Sequence, residues 1–226
     1  MNKPNTSGIN VIITGATGMV GEGVLIECLE DNAVAEVLVM NRRPCGVSHP
    51  KLKEIIHKNF YDLSAIEGQL SGYNACFFCA GVSSVGMKEK DFYRQTYELT
   101  MHVATTLAKL NPDMTFCYVS GAGTDSTEKG KIMWARVKGK TENNLGKLSF
   151  KSVYNFRPGF LEPTKGMKNI KYYKYIGWLI PIIRKLAPKY ICSLQELGKA
   201  MINATTRGYH KPVLEVPDII NLSKAR

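Results

Sequence analysis

The feature that most constrains the fold is a glycine-rich turn near the N-terminus, Thr14-Gly15-Ala16-Thr17-Gly18-Met19-Val20-Gly21. An apolar run, Ile9–Ile13, precedes the turn, and apolar residues at helical spacing follow it from Val20 to Leu29. In a strand–turn–helix unit such glycines allow a tight turn, close approach of the backbone to a pyrophosphate and close packing of helix on strand. The helix N-terminus then offers free N–H groups to the phosphates. The turn therefore predicts a dinucleotide site formed by Thr14, Gly15, Thr17, Gly18, Met19, Val20 and Gly21. A nucleoside-triphosphate loop is excluded, because no Lys-Ser/Thr pair follows the glycines.

Apolar strands alternate with helical segments along the rest of the chain. Strands are predicted at Ile9–Ile13, Glu36–Met40, Leu52–Phe60, Ala75–Cys79, Met114–Val119, Ser152–Arg157 and Val213–Val216. Helices are predicted at Val20–Leu29, Leu63–Leu70, Glu89–Leu110, Lys131–Leu148 and Leu194–Thr206. Because continuously apolar strands alternate with helices, we expect a parallel sheet covered on both faces and joined by right-handed crossovers. The sequence predicts an α/β fold with a doubly wound parallel sheet, the Rossmann fold, as one domain over residues 1–226 with a small C-terminal substrate or lid region.

The end of the second strand indicates which dinucleotide is bound. A site for NAD usually has Asp or Glu there, which accepts hydrogen bonds from the ribose hydroxyls. This sequence has Asn41-Arg42-Arg43 instead. A guanidinium suits phosphate geometry, so Arg42 and Arg43 predict a site for the 2′-phosphate of NADP, with two exposed turn arginines as the alternative.

The charge of the chain, +11 at pH 7, is unevenly distributed. Residues 1–128 hold 10 Lys and Arg against 14 Asp and Glu, a net −4, whereas residues 129–226 hold 20 against 5, a net +15. A basic C-terminal half suits an anionic small molecule, nucleic acid, an anionic membrane surface or a plain solvated face. Charge alone does not choose among these.

Targeting signals and cysteine usage indicate the compartment. The sequence has no basic leader followed by an apolar run and no stretch of about 18 apolar residues, so we expect a cytoplasmic protein without an integral membrane segment. Most of the six cysteines lie in apolar strand-like segments, as buried free thiols do. Cys76 and Cys79 spell C-x-x-C, but in a strand residues three apart point to opposite faces. We interpret the pair as structural, and no metal-ligand spacing is present.

Residues 161–192 follow the sixth strand, where a substrate-covering insertion would lie. Within them, 165–189 interleave lysines and arginines with aromatic and branched apolar residues. A substrate lid, an oligomer contact, a membrane-surface segment and a nucleic-acid site are the alternatives. Gly177 and Pro181 interrupt any regular amphipathic helix, and no nucleic-acid motif is recognised. We expect this segment to form a lid over a small-molecule substrate, and we do not expect nucleic acid as a partner. Whether the protein forms a homo-oligomer is not indicated by the sequence.

Together, these motifs resemble the atypical, epimerase-like NAD(P)-binding group of the short-chain dehydrogenase/reductase superfamily. The glycine turn resembles that group's Thr-Gly-x-x-Gly-x-x-Gly, and further short motifs follow in the family's order up to Gly159. The resemblance implies cofactor contacts from Asp62 and Leu63 beside the adenine, from Cys79, Ala80 and Gly81 along the cofactor, and from Lys138, Pro158 and Gly159 near the nicotinamide. It also implies catalytic roles for Ser120 and Lys138.

One departure from the family separates binding from catalysis. The segment Trp134-Ala135-Arg136-Val137-Lys138 stands where the family has Tyr-x-x-x-Lys. The family's tyrosine exchanges a proton with the substrate oxygen, whereas an indole offers one N–H donor and no usable acid–base equilibrium. An alignment slip does not rescue it, because no tyrosine lies between Tyr118 and Tyr154.

Three interpretations follow from this departure. In the first, the protein is an NADP-dependent oxidoreductase or epimerase-like enzyme with another proton donor, for which the candidates are Tyr93, Tyr97, Tyr118 and His102. Alternatively, hydride transfer takes its proton from water or the substrate. In the third, the protein is a non-catalytic sensor that transmits the state of its cofactor to a partner.

Overall fold

The structure is a computed structural model and describes residues 8–164, 166–168, 185 and 187–225. The strands are β1 (Ile9–Thr14), β2 (Val34–Asn41), β3 (Leu52–Ile56), β4 (Ala75–Phe78), β5 (Thr115–Val119), β6 (Ser152–Arg157), β7 (Phe160–Glu162), β8 (Ile191–Ser193) and β9 (Val213–Glu215). The helices are α1 (Met19–Glu30), α2 (Glu89–Tyr93), α3 (Leu99–Leu110), α4 (Met133–Leu145), α5 (Leu194–Arg207) and α6 (Val216–Ser223). A π-helical turn, Arg94–Glu98, joins α2 to α3, and short 3₁₀ helices span Ser64–Gln69 and Pro188–Tyr190.

One parallel sheet of seven strands organises the chain, in the order β3-β2-β1-β4-β5-β6-β9. The chain runs outward from β1 to β3, crosses to the other side of β1, and continues through β4, β5 and β6. The predicted α/β doubly wound Rossmann fold is thereby confirmed. Because the strand order reverses between β1 and β4, the connections that leave these two strands run to opposite faces of the sheet and leave a crevice, which is where sheets of this type bind ligands.

Apolar side chains cover both faces of the sheet. In β1, Val11 and Ile13 join the cluster beneath α1, α5 and α6, whereas Ile12 joins the cluster beneath α3 and α4. The same alternation divides the C-x-x-C pair: Cys76 is buried in the second cluster, and Cys79 packs against the first. The two thiols therefore face opposite sides of the sheet, as the strand pattern predicts.

The third strand is shorter than predicted. We expected it to run from Leu52 to Phe60, but β3 ends at Ile56. The following loop is closed by the His57 ring, whose Nε2 lies 2.8 Å from the Asn59 carbonyl oxygen and 2.7 Å from that of Asp62. This loop brings Lys58 and Phe60 to the carboxyl end of the sheet, where they line the crevice.

Three elements near the C-terminus were not predicted: β7, β8 and α6. Strands β7 and β8 pair in parallel, with Phe160 opposite Ile191. Val216, predicted as the end of a strand, begins α6 instead, since a proline at position 217 suits the first turn of a helix. Most of the predicted basic segment, 165–189, lies outside the described residues. Among the residues described, no helix combines the length and apolar character needed to cross a membrane.

Candidate functional site

A cleft of about 690 Å³ opens at the carboxyl ends of β1 and β4, and we call it the switch-point cleft. It is lined by Gly15, Thr17, Gly18, Asn41, Arg42, Arg43, Lys58, Phe60, Cys79, Ala80 and Gly81. The cleft thus brings together three parts of the chain singled out by sequence: the glycine turn, the arginine pair and the loop after β4. Asn41, Lys58 and Phe60 are lining residues that the sequence did not predict as contacts.

The glycine turn has the geometry of a phosphate cradle. Gly15 has φ +75°, and a Cβ there would lie 2.7 Å from the Ala80 backbone nitrogen. The Gly15 carbonyl accepts a hydrogen bond of 2.9 Å from the Gly18 N–H, which closes the turn. Gly18 is the N-cap of α1 and offers no capping side chain, so the first N–H groups of the helix, beginning at Met19 and Val20, have no side-chain competitor. A pyrophosphate therefore fits this turn.

Two other residues of the motif hold the turn together. Thr14 is fully buried, and its hydroxyl accepts a 3.3 Å hydrogen bond from the Ala80 N–H, which joins the ends of β1 and β4. Gly21 lies so close to the Gly15 carbonyl that a side chain there would overlap it. These residues shape the floor of the cleft without lining it.

Every charged side chain in the described lining of the switch-point cleft is a cation that donates hydrogen bonds. Arg42, Arg43 and Lys58 are exposed, and no carboxylate belongs to the described lining. Asn41 is 3% exposed, and its side-chain Nδ2 has no hydrogen-bond partner among the described residues. A buried amide donor without a partner costs free energy unless a ligand supplies an acceptor. This lining therefore presents hydrogen-bond donors and positive charge to a ligand in the cleft.

Asp62 and Leu63, which the family resemblance places beside the adenine, do not line the switch-point cleft. The Asp62 carboxylate accepts hydrogen bonds from the Ser64 N–H at 3.0 Å and the Ser64 hydroxyl at 2.7 Å, and Leu63 is buried in the core. Phe60 lines the cleft instead, because β3 ends early and the loop turns it inward. It also borders a small recess of about 60 Å³ with Val82, Gln95 and Leu99, the last two on the π-helical turn and the start of α3.

A second cleft, of about 450 Å³, opens at the carboxyl ends of the neighbouring strands β5 and β6, and we call it the lysine cleft. It is lined by Ser120, Gly121, Ala122, Trp134, Lys138, Pro158, Gly159, Phe160 and Tyr190. All four residues predicted near the nicotinamide or the reacting atoms, Ser120, Lys138, Pro158 and Gly159, meet in this cleft. Phe160 and Tyr190 were not predicted, since they depend on the pairing of β7 with β8.

Among the described residues that line the lysine cleft, Lys138 is the charged one. It lies one turn after Trp134 on α4, so both side chains point to the same side of the helix. Its ammonium donates a hydrogen bond to the Ser120 carbonyl. Burial lowers the pKa of Lys138 to about 8, although the charge of Glu142 opposes this. The amine therefore changes protonation within the range where enzymes are assayed.

The Ser120 hydroxyl is engaged with a buried ion pair. It donates to Glu142 Oε1 at 2.5 Å, with the Phe156 carbonyl 3.2 Å away. The same carboxylate accepts hydrogen bonds from Arg157, from Nε at 3.0 Å and from Nη2 at 2.5 Å. Ser120 has one hydroxyl proton, and in this arrangement the Glu142 carboxylate accepts the hydrogen bond that it makes. The predicted catalytic serine therefore lies in the cleft with its proton already directed at a carboxylate.

The proton donors considered from sequence lie elsewhere. Tyr118 is 2% exposed, and burial raises its pKa. The rings of Tyr93 and Tyr97 lie 4.8 Å apart, and Lys140 Nζ is 5.1 Å from each ring centre. Neither these three tyrosines nor His102 lines the lysine cleft as described.

The Rossmann sheet has a phosphate cradle at its switch point and a lysine-lined cleft at the ends of β5 and β6. This combination is typical of dinucleotide-binding proteins. The sequence profile of the NAD dependent epimerase/dehydratase family matches residues 11–130, more than half of the chain. The chain belongs to the NAD dependent epimerase/dehydratase family, whose members bind NAD(P).

Individual relatives are distant. Protein FMP52-1, mitochondrial, of Scheffersomyces stipitis is 26% identical over 166 residues, which cover 71% of this chain and 73% of the relative. Protein HTATIP2 of Rattus norvegicus is 26% identical over 154 residues, 67% of this chain and 62% of the relative, so less than two thirds of that relative is matched. The crystal structure of Helicobacter pylori ADP-L-glycero-D-manno-heptose-6-epimerase superposes with a TM-score of 0.68 at 14% identity, covering 99% of this chain and 83% of that one. At this identity the likeness is one of fold.

Proposed function

We propose that the protein is an NADP(H)-dependent oxidoreductase that acts on a small carbonyl compound. The observation that carries the proposal is the succession of two clefts along one sheet edge. The switch-point cleft holds a phosphate cradle, and the lysine cleft at the next strands holds Lys138 among apolar walls. A dinucleotide that binds its pyrophosphate at Gly15 and Gly18 would direct its nicotinamide along this edge.

The preference for NADP(H) over NAD(H) rests on the donor-rich wall of the switch-point cleft. Arg42, Arg43 and Lys58 supply three cations, and the buried Asn41 supplies an amide donor that has no partner in the described protein. The 2′-phosphate of NADP offers acceptor oxygens to all four side chains. An unphosphorylated ribose offers hydroxyls, and no carboxylate stands among the described lining residues to accept from them.

The lysine cleft suits a substrate with an apolar body. Trp134, Phe160 and Tyr190 present aromatic surfaces, and Phe160 and Tyr190 are 55% and 50% exposed. Exposed aromatic side chains around one cleft are typical of a site that buries them against a ligand. Lys138 is the charged side chain among the described residues of this wall, and the substrate class we propose is an aromatic or alicyclic ketone, aldehyde or quinone.

NADPH, when bound, supplies a hydride for the carbonyl carbon. The Lys138 ammonium would donate hydrogen bonds to the nicotinamide ribose, and the hydrogen bond that it donates to the Ser120 carbonyl holds it in place. The indole N–H of Trp134 can donate a hydrogen bond to the substrate oxygen but cannot release its proton. We propose that Trp134 replaces the family's tyrosine as an orienting group only.

The residues that join β7 to β8 are proposed to cover the substrate. The segment 161–192 leaves the lysine cleft next to Phe160 and returns to it next to Tyr190, so its ends are at the rim. Its central part lies outside the described residues.

The expected cytoplasmic location stays a prediction. The relative from Scheffersomyces stipitis carries "mitochondrial" in its name.

A second candidate function is a non-catalytic sensor of the cofactor. The observations in its favour are Trp134 at the tyrosine position and the Ser120 proton directed at Glu142. A sensor would bind NADP(H) with the same switch-point cleft and turn nothing over.

Two measurements test the proposal. Calorimetric titration of purified, cofactor-free protein with NADPH and NADH should give tighter binding of NADPH. NADPH oxidation is then followed over a panel of aromatic and alicyclic ketones, aldehydes and quinones, with nucleotide-sugar ketones as the contrasting class. Binding without turnover of any compound would favour the sensor, and equal affinity for both cofactors would contradict the preference for NADP(H).

A further inference from the structure

Carbonyl reduction needs a proton as well as a hydride. The proton must come from a group in the lysine cleft that can release it, and three of the polar side chains there are poorly suited. Trp134 has no usable acid–base equilibrium. The proton of Ser120 is directed at Glu142 Oε1, 2.5 Å away. Lys138 donates to the Ser120 carbonyl and, in the proposed function, binds the ribose.

The fourth polar side chain is Tyr190, which reaches the cleft from a distant part of the sequence. Phe160 pairs with Ile191 in the β7–β8 ladder, so Tyr190 stands beside Gly159. A Cβ on Gly159 would overlap the Tyr190 carbonyl, so the close approach of the two backbones requires glycine at this position. The ladder and this glycine together hold Tyr190 at the wall of the cleft.

Backbone contacts connect the region around Gly159 with Lys138. The carbonyl of Pro158 accepts a 2.8 Å hydrogen bond from the Ala122 N–H, which ties the β6 end to the loop after β5. On that loop, the position that a Cβ of Gly121 would take lies 4.0 Å from Lys138 Nζ and 3.9 Å from the Pro158 carbonyl oxygen. Tyr190 and Lys138 both line this cleft.

The Tyr190 side chain is accessible at the wall of the lysine cleft. It is half-exposed, and its hydroxyl makes no hydrogen bond to the described part of the protein. Lys189 Nζ lies 5.2 Å from the centre of its ring. The hydroxyls of Tyr61, Tyr73 and Tyr209, by contrast, each donate to a protein oxygen.

We propose that Tyr190 is the proton donor of this site, supplied by the chain between β7 and β8 in place of the tyrosine that α4 lacks. The proposal rests on the proposed oxidoreductase function. In the reaction, the carbonyl carbon takes the hydride of NADPH and the carbonyl oxygen takes the phenolic proton. The products are the alcohol, NADP⁺ and a phenolate, which recovers its proton from water because the Tyr190 side chain is half-exposed.

The test compares four variants with the wild-type protein: Tyr190→Phe, Trp134→Tyr, the double variant that carries both, and Tyr209→Phe. The last is the matched control, because it loses one phenolic hydroxyl that bonds Asp218 of α6 and lines neither cleft. NADPH affinity, kcat and KM are measured for each across pH 6–10, using a carbonyl compound that the wild-type protein reduces. General acid catalysis contributes about 10²–10⁴-fold to a rate.

We expect Tyr190→Phe to lower kcat by about 100-fold or more while NADPH affinity stays unchanged. The double variant should recover activity, because Trp134→Tyr restores a phenol one helical turn before Lys138. Tyr209→Phe should resemble the wild-type protein. Recovery in the double variant separates a missing proton from a local loss of packing.

Two results overturn the assignment of Tyr190 alone. The first is a kcat of Tyr190→Phe within about threefold of wild type, with a pH profile that follows the Lys138 pKa of about 8, which makes Lys138 the donor. The second is a rise in KM with kcat unchanged, which makes Tyr190 a substrate wall. A wild-type protein that binds NADPH but reduces none of the carbonyl compounds overturns the proposed oxidoreductase, and the proton-donor role of Tyr190 with it.

Discussion

The hydroxyl of Ser120 donates a hydrogen bond of 2.5 Å to the buried carboxylate of Glu142. This relationship ties the end of β5 to α4 and extends to Arg157, which completes a buried ion pair with the same carboxylate. The Ser120 carbonyl receives the ammonium of Lys138 from the same helix. Ser120 therefore positions the lysine through its backbone while its side chain belongs to the ion-pair network.

Removal of the buried carboxylate should destabilise the protein. The side chain of Glu142 is 2% exposed and that of Arg157 is 11% exposed, so Glu142→Ala leaves a poorly hydrated guanidinium without its main partner. We expect a loss of about 3–5 kcal/mol in the free energy of unfolding, measured by urea denaturation. The matched control is Glu89→Ala, which breaks the ion pair with Arg136 at a side chain that is 56% exposed and should cost about 0–1 kcal/mol. Similar losses for both variants would contradict the structural importance of the Ser120–Glu142–Arg157 network.

The glycine turn should be intolerant of a methyl group for reasons of space. Gly15→Ala places a Cβ 2.7 Å from the Ala80 backbone nitrogen at a φ of +75°, so we expect it to destabilise the fold and to abolish NADPH binding. Gly72 is the matched control, because it has φ +87° but no atom within 4 Å of the position that a Cβ would take. Gly72→Ala should cost about 1–2 kcal/mol from backbone strain and leave NADPH affinity intact. Thermal unfolding and calorimetric titration give the two readouts, and retained NADPH binding by Gly15→Ala would refute the cradle.

Cofactor preference should depend on Lys58 as well as on the arginines. A hydrogen bond to a charged group contributes about 1.5–3 kcal/mol, so Lys58→Ala should weaken NADPH binding by about 10- to 100-fold and leave NADH binding almost unchanged. Lys53→Ala is the control, since Lys53 lies on β3 in an ion pair with Glu36 and does not line the switch-point cleft. Parallel titrations with both cofactors check this, and an equal loss for NADPH and NADH would remove Lys58 from the 2′-phosphate site.

The buried amide of Asn41 offers a way to reverse the preference. Asn41→Asp replaces an unpartnered donor at the end of β2 with a carboxylate, which repels a phosphate and accepts hydrogen bonds from ribose hydroxyls. The ratio of NADPH to NADH affinity should therefore fall by about tenfold or more. Unfolding experiments on the same sample establish that the variant is folded. A ratio that stays at the wild-type value would mean that Asn41 does not face the ribose.

Stability should change with pH through Lys138. Its pKa falls from 10.5 in the unfolded chain to about 8 in the folded protein, because burial disfavours the charged amine. Between pH 8 and 10.5 the unfolded state therefore binds more protons, and the free energy of unfolding should rise with pH relative to a Lys138→Met variant. Below pH 8 both states are protonated and the difference between the two proteins should be constant. Urea denaturation at about pH 7, 8, 9 and 10 measures it, and parallel curves throughout would show that Lys138 is not desolvated.

Local patterns were enough to predict the doubly wound sheet and the phosphate turn. A strand, a glycine turn and a helix are contiguous in sequence, so residues 9–29 by themselves predict the cradle at Gly15 and Gly18. The parallel sheet follows from the alternation of buried strands with helices, because that pattern leaves few other ways to bury both faces. The resemblance to the family implied that Ser120 and Lys138 share one site, and in the structure both line the lysine cleft.

Only the tertiary structure revealed which side chains complete the two clefts. Lys58 and Phe60 reach the switch-point cleft because β3 ends at Ile56, a boundary that depends on the hydrogen bonds of the following loop. Tyr190 reaches the lysine cleft because β7 and β8 pair across a long intervening segment, and the short apolar runs that form them have no periodicity that distinguishes them from loop. The bond between Ser120 and Glu142 is equally invisible in sequence, because hydroxyl orientation is set by whichever acceptor packing brings within reach. Sequence patterns report local propensity and burial, whereas contacts between distant segments depend on the free energy of the assembled fold.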